Sequence, residues 1–280
     1  MTAAPRRVVA ICADDVGLVD GIAETVVALA AAGRLHAASC VTTTARWRRA
    51  AAVLGTASAA PELGLHFNLS EGAPLTRELR AVWPTFPGLA RLLAGAAVGA
   101  LPRAAIAAEF RAQTDAFAAA LGRAPAFVDG HQHVHALRGV REAVLDVVAT
   151  WPVVPAIRST AHVRGPAAAL KRRVLAASGG RALERELVAR GIAHNTVLLG
   201  AYGFAAADYR ALVRRWLAAA PAEGALLFCH PGDVADGADA IAAARRREAA
   251  YLGSAAFLAD LEAAGVTIGP AWAKRSSSGG

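Results

Sequence analysis

Short, continuous apolar runs alternate with amphipathic stretches along almost the whole chain. Residues 8–13 (VVAICA) read as a strand covered on both faces. The run ends at Asp14-Asp15, and Gly17 permits a sharp turn before a helix predicted over 22–32, with Gly33 as its stop. Strand-like runs recur at 37–43, 63–69, 126–135, 153–157, 196–199, 224–230 and 266–269. Helical patterns fill 47–54, 106–121, 140–149, 170–177, 182–190, 209–219 and 238–263, the last interrupted near Gly253. Strand–helix alternation from end to end predicts an α/β fold with parallel strands. A chain of 280 residues is long enough for one α/β barrel or for two small domains.

One stretch breaks the rhythm. Residues 75–104 carry Trp83, Pro84, Pro87, Gly88, Gly95 and Gly99, and read as an insertion or lid. Ser276-Ser277-Ser278-Gly279-Gly280 reads as a flexible tail, which leaves 1–275 for the folded domain.

Composition narrows the class. Hydrophobic residues make up 55% and charged residues 19%, as a packed core requires. The longest apolar run falls short of the ~18 residues of a membrane span, and the N-terminal run is too short for a signal peptide. Net charge is +8. The basic tracts Lys171-Arg172-Arg173 and Arg245-Arg246-Arg247 lack the interleaved aromatic residues of a nucleic-acid stacking platform, so no nucleic-acid partner is expected. Cys12, Cys40 and Cys229 are odd in number, form no CxxC pair and sit in apolar stretches. They read as buried free thiols in a reducing, cytoplasmic setting.

Four polar clusters stand at the carboxyl ends of predicted strands, the end where parallel α/β folds assemble their sites. They are Asp14-Asp15, His66, residues 129–135 (DGHQHVH) and His230-Pro231-Gly232. If residues 129–135 are extended, Asp129, His131, His133 and His135 share one face, a row suited to a metal or an anionic ligand. Adjacent carboxylates repel, so one of Asp14-Asp15 should shift its pKa or be neutralised by a cation, and a natural division makes one a metal ligand and the other a general base. The competing reading is a helix N-cap. His66 and His230 are each either satisfied polar residues or functional ones; His230 could act as a general acid. Arg158 could hold the base carboxylate, bind substrate or form a surface ion pair. Walker, GxGxxG and GxSxG motifs are absent, which leaves a mononuclear hydrolase site.

Residues 13–17 (ADDVG), 64–72 (GLHFNLSEG), 128–135 (VDGHQHVH) and 229–232 (CHPG) together resemble the YdjC-like carbohydrate deacetylases, a group that includes chitooligosaccharide deacetylases and hopanoid-associated proteins. The motifs occur in family order across residues 8–233. The resemblance implies an irregular (β/α) barrel, TIM-barrel-like, in a single domain. It also implies one divalent metal ion, Zn2+ or Mg2+, and hydrolysis of an N-acetyl group from an amino sugar. By position, Asp15, His66 and His131 match the metal ligands, Asp14 the base, His230 the acid and Arg158 the arginine after the next strand. Asp129, His133, His135 and Asn68 fall to the surroundings of the ligands or to substrate contact. Val16 departs from the family's usual Phe, and residues 75–104 depart from its usual text.

Relatives act on free oligosaccharides or on polyprenyl-phosphate-linked sugars in lipid A modification. Arg residues mixed with exposed-looking Trp83, Leu89 and Leu93 in 79–103 are compatible with association at the inner face of a membrane or with an ordinary packed lid. A homodimer stays open. The reading of a different class is a non-catalytic metal- or carbohydrate-binding protein on the same barrel.

Overall fold

The computed structural model describes residues 7–57, 59–166, 179–235 and 237–273. Its strands are β1 (Arg7–Val16), β2 (Ala37–Cys40), β3 (Glu62–Phe67), β4 (Phe127–Gly130), β5 (Ala156–Ile157), β6 (Leu198–Leu199), β7 (Ala225–Cys229) and β8 (Val266–Ile268). Seven run in the order β5-β4-β3-β2-β1-β7-β6, all pairings parallel, and β8 pairs the start of β1. The sheet curls into a partial barrel, and segments flanking its edge strands β5 and β6 bridge the gap. The Leu198 N–H donates to His162 O, the Arg164 N–H to Leu198 O, and the Ile157 N–H to Ala193 O. The fold is a single-domain, TIM-barrel-like α/β structure: the alternation predicts its parallel α/β class, and the family resemblance implies the barrel.

Period-2 geometry sorts each strand into an outer and an inner face. Val9, Ile11 and Ala13 of β1, Leu63 and Leu65 of β3, and Leu227 of β7 join the large core beneath the helices. The opposite faces supply a smaller cluster in the bore: Cys12, Ala37, Phe127, Ala156, Leu198, Leu226 and Phe228. Trp272 packs on Phe127 with ring centroids 5.0 Å apart, and its Nε1 donates to Glu62 Oε2 at 3.0 Å. Gly64 is required here, because a Cβ would stand 2.4 Å from the Phe127 ring.

The surrounding helices are α1 (Ile22–Ala31), α2 (Trp47–Gly55), α3 (Arg77–Val82), α4 (Leu89–Val98), α5 (Arg103–Leu121), α6 (Val140–Val148), α7 (Arg181–Ala189), α8 (Tyr209–Ala219), α9 (Ala242–Leu252) and α10 (Ala255–Ala263). The helix expected over 170–177 and the tract Lys171-Arg172-Arg173 lie outside the described residues. Residues 75–104 hold α3, α4 and the start of α5. The Thr76 side chain caps α3, and the buried Glu109 carboxylate accepts from the Leu75 and Thr76 N–H groups. Leu79 and Leu92 are fully buried, and Trp83, Leu89, Leu93 and Leu101 pack on the core. The side chains that look exposed in the sequence are therefore largely covered by the barrel. No helix among the described residues is long and apolar enough to cross a membrane.

One predicted element is wrong at its functional end. β4 stops at Gly130, and His131–Ala136 forms a 3-10 turn in which Gln132 (φ 53°) and His133 (φ 61°) are left-handed. The chain folds back so tightly that a Cβ at Gly130 would meet His135 N at 2.9 Å. Asp129, His131, His133 and His135 therefore do not line one face of a strand.

Candidate active site

Asp14 and Asp15 are neighbours in β1, where a regular strand would point them to opposite faces. The β1–β2 register shifts between Ala13 and Val16, and Asp15 has φ 70°. This bulge brings both carboxylates to the wall of one cavity of about 710 Å3. Asp15 is not a helix cap: the N-cap of α1 is Gly21. His66, His131, His133 and His230 line the same cavity.

Asp15 Oδ1 lies 2.8 Å from His131 Nδ1 and 3.3 Å from His66 Nε2. One potential ligand atom from each of the three residues lies within 4.8 Å of the others, and all three residues are buried. The far nitrogen of each imidazole also meets a carboxylate. His66 Nδ1 is 2.6 Å from Asp129 Oδ1, and His131 Nε2 is 3.0 Å from Glu71 Oε1. Such carboxylate–histidine pairs fix the tautomer and ring angle of metal-ligating histidines. Burial opposes charge on His66 and His131, yet Asp129 and Asp15 outweigh it and raise their pKa to about 10 and about 9. Burial also opposes the Asp15 carboxylate, but His131, His66 and Arg245 hold its pKa well below the usual range. The site thus draws positive charge to Asp15, and the donor set of one carboxylate and two imidazoles fits a divalent cation.

A second acidic cluster, Cys12-Asp14-Asp129, already contains its cation. Arg158 is fully buried and binds both Asp14 oxygens at 2.6 Å. It also meets Asp129 Oδ2 at 2.5 Å and Cys12 Sγ at 3.2 Å. The surface ion pair considered for Arg158 is thereby excluded. Its guanidinium lies behind Asp14 and orients it.

The three clustered histidines part company. His131 faces Asp15. His133 packs its ring edge-on against Phe228, centroids 5.2 Å apart, and burial pushes its pKa down. His135 turns away from the cavity, its Nε2 bonding to Arg158 O at 2.8 Å, and burial takes it down to about 4. Asn68 is spent on its own loop. Its side chain bonds to Thr43, to the Glu71 carbonyl and to the Ser70 and Glu71 N–H groups. Asp129 lies behind His66 and is also held by Ser39. His230 sits between Phe204 and Phe228, with centroids 5.0 and 5.6 Å away, and burial lowers its pKa to about 4.

Two residues of α9 escape the sequence reading. Arg245, part of the basic tract, is buried and bridges Asp239 Oδ2 at 2.5 Å to Asp15 Oδ2 at 2.8 Å. Its neighbours Arg246 and Arg247 bond to backbone carbonyls of Val234 and Phe204. Glu248, one turn on, is fully buried beneath His230. The sequence of α9 has no clear apolar face, and only the contacts of the helix with the ends of β1 and β7 show that these charges join the site.

Curated carbohydrate deacetylases share part of this sequence. The human protein is 32% identical over 155 residues, covering 53% of this chain and 47% of that protein. The Danio rerio protein is 35% identical over 108 residues, covering 34% of each. The matched region spans half or less of these relatives' own length. A solved structure from Enterococcus faecalis, described as a cellobiose-phosphate cleavage protein, superimposes with a TM-score of 0.72 at 15% identity, covering 94% of this chain and 97% of that one. It supports the fold. The family model for YdjC-like proteins matches residues 8–263, and the chain belongs to that family.

Proposed function

We propose that the protein is a metal-dependent hydrolase that removes an N-acetyl group from an amino sugar, in an oligosaccharide or linked to a polyprenyl phosphate. The observation that carries this reading is the Asp15-His66-His131 set on the wall of the cavity that also presents Asp14 and His230. The names of the curated relatives support it.

Asp15, His66 and His131 would hold one divalent cation, Zn2+ or Mg2+. When bound, it would polarise the acetyl carbonyl and lower the pKa of water. Asp14, clamped by Arg158, accepts the proton of the attacking water. His230, on the same wall, gives a proton to the leaving amine nitrogen. Phe204 and Phe228 keep water from the imidazole faces. A protein that only binds metal or sugar needs neither a second carboxylate fixed by a buried arginine nor a further histidine, which disfavours the binding-protein reading.

The test is acetate release from N-acetylated sugars, free and polyprenyl-linked, before and after chelation. Release that stops with chelator and returns with Zn2+ or Mg2+ is expected. Binding of those sugars without acetate release under any metal would establish the binding protein instead.

A further inference from the structure

Glu248 is a buried carboxyl that the reaction described so far does not use. Its side chain is inaccessible to solvent, and its two oxygens are occupied. Oε2 accepts the His230 backbone N–H at 2.5 Å, and Oε1 accepts the Tyr202 hydroxyl. Oε1 also lies 4.0 Å from His230 Nδ1, a buried ring nitrogen that has no hydrogen-bond partner. The ring of His230 is walled by Phe204 and Phe228, and one side of the residue lines the cavity.

This arrangement resolves a conflict. A general acid must carry a proton at working pH, but burial takes His230 down to about 4. The other charges facing it come from β1 (Asp14, Asp15), β3 (His66) and α9 (Arg245), and they partly cancel. Glu248 is itself raised to about 7 by burial, against the Tyr202, Tyr209 and His230 hydrogen bonds and Arg245. Glu248 Oε1 is the acidic atom that faces the unpartnered His230 Nδ1, so negative charge on it favours the protonated imidazole.

Resting on the assignment of His230 as the acid, we infer that Glu248 is its positioning residue and counter-charge, orienting the Nδ1–H inward and leaving Nε2 toward the substrate. As the C–N bond of the tetrahedral adduct breaks, the Nε2–H bond breaks and a new N–H bond forms on the leaving amine. The Nδ1–H stays facing Glu248. The proton that Asp14 took from water returns through solvent, so none is gained or lost over the cycle. Tyr202 fixes the carboxyl, and its own ring packs on Phe204 with centroids 5.1 Å apart.

Glu248→Gln keeps the shape and removes the charge. In this variant kcat is expected to fall about 30-fold, part of the 10²–10⁴ that a general acid supplies. KM should stay within about 3-fold, and the His230 pKa, followed by NMR on the protein as isolated and with zinc added, should drop. Glu248→Asp is expected to restore part of kcat and of the pKa. Tyr202→Phe leaves the charge and should cost less than Glu248→Gln. A folded Glu248→Gln protein with unchanged His230 pKa and an unchanged pH–rate profile would overturn the inference. If the wild type releases no acetate from any sugar, the deacetylase reading fails, while the NMR titration still decides the Glu248–His230 coupling.

Discussion

Two layers of the barrel bore lie one pleat apart. Cys12 and Asp14, Ala37 and Ser39, Gly64 and His66, Phe127 and Asp129, Ala156 and Arg158, and Phe228 and His230 are pairs two residues apart on six successive inward faces. In each pair the first member is small or apolar and the second polar. The strands, direction and burial are shared, yet the layers are stabilised differently. The lower layer is held mainly by matched volume: Gly64 makes room for Phe127, Trp272 covers it, and Cys12 reaches up to Arg158. The upper layer needs matched charge, since each buried ion must find a counter-ion. It does so along one chain of contacts, Asp14–Arg158–Asp129–His66–Asp15–Arg245. A fold can thus place a reactive layer directly on an inert one by changing residue type at period 2.

The largest effect should come from Arg158→Met, which leaves Asp14 and Asp129 without their common cation. Stability is expected to fall by about 3–5 kcal/mol in urea unfolding, with turnover lost. A loss below about 1 kcal/mol would break the paired-charge account. Asp14→Asn strikes the chemistry and spares the layer, because Arg158 keeps Asp129. Acetate release should drop about 10³-fold, while zinc affinity by calorimetry stays within a few-fold.

Phe127→Ala tests the lower layer. Truncation is expected to cost about 3 kcal/mol of stability with kcat nearly unchanged well below the melting point. A large loss of kcat would show that the layers are not separable. Gly64→Ala should cost about 1–3 kcal/mol by overpacking. Combining it with Phe127→Leu should recover part of that loss, a coupling a double-mutant cycle would reveal.

The smallest effect is on pH dependence. His133, His135 and His230 have lowered pKa values when folded, so their contribution is lost as pH falls below 6.5, with His135 and His230 titrating at about 4. Asp15 and Asp129 have lowered pKa values, so their contribution is lost as pH falls below 3.8. His66 and His131 are raised, so theirs is full below 6.5 and is lost progressively as pH rises from there to between 9 and 10. Glu248, raised to about 7, opposes the acid limb between 4.5 and 7, one group against three. Metal-free protein should therefore melt highest near pH 6.5 by scanning calorimetry and lose stability on both sides of it. Zinc, which requires neutral imidazoles, should abolish the alkaline limb.

Much of this was legible in the chain. Apolar runs alternating with amphipathic stretches determined the α/β class, because a parallel strand covered on both faces and a helix covered on one impose different periods. The same period placed Asp14, His66, Asp129, Arg158 and His230 at strand ends, where parallel folds gather their chemistry. What only the tertiary structure decided depends on long-range contact. The bulge at Asp15 needs β2 beside it, and the reversal at Gln132 and His133 scatters three histidines that an extended chain would have aligned. Arg245 and Glu248 lie on a helix that could have met solvent on that face. Its packing at the mouth of β1 and β7 turns a basic tract and one glutamate into neighbours of Asp15 and His230, and no local pattern encodes the strand end against which a helix comes to rest.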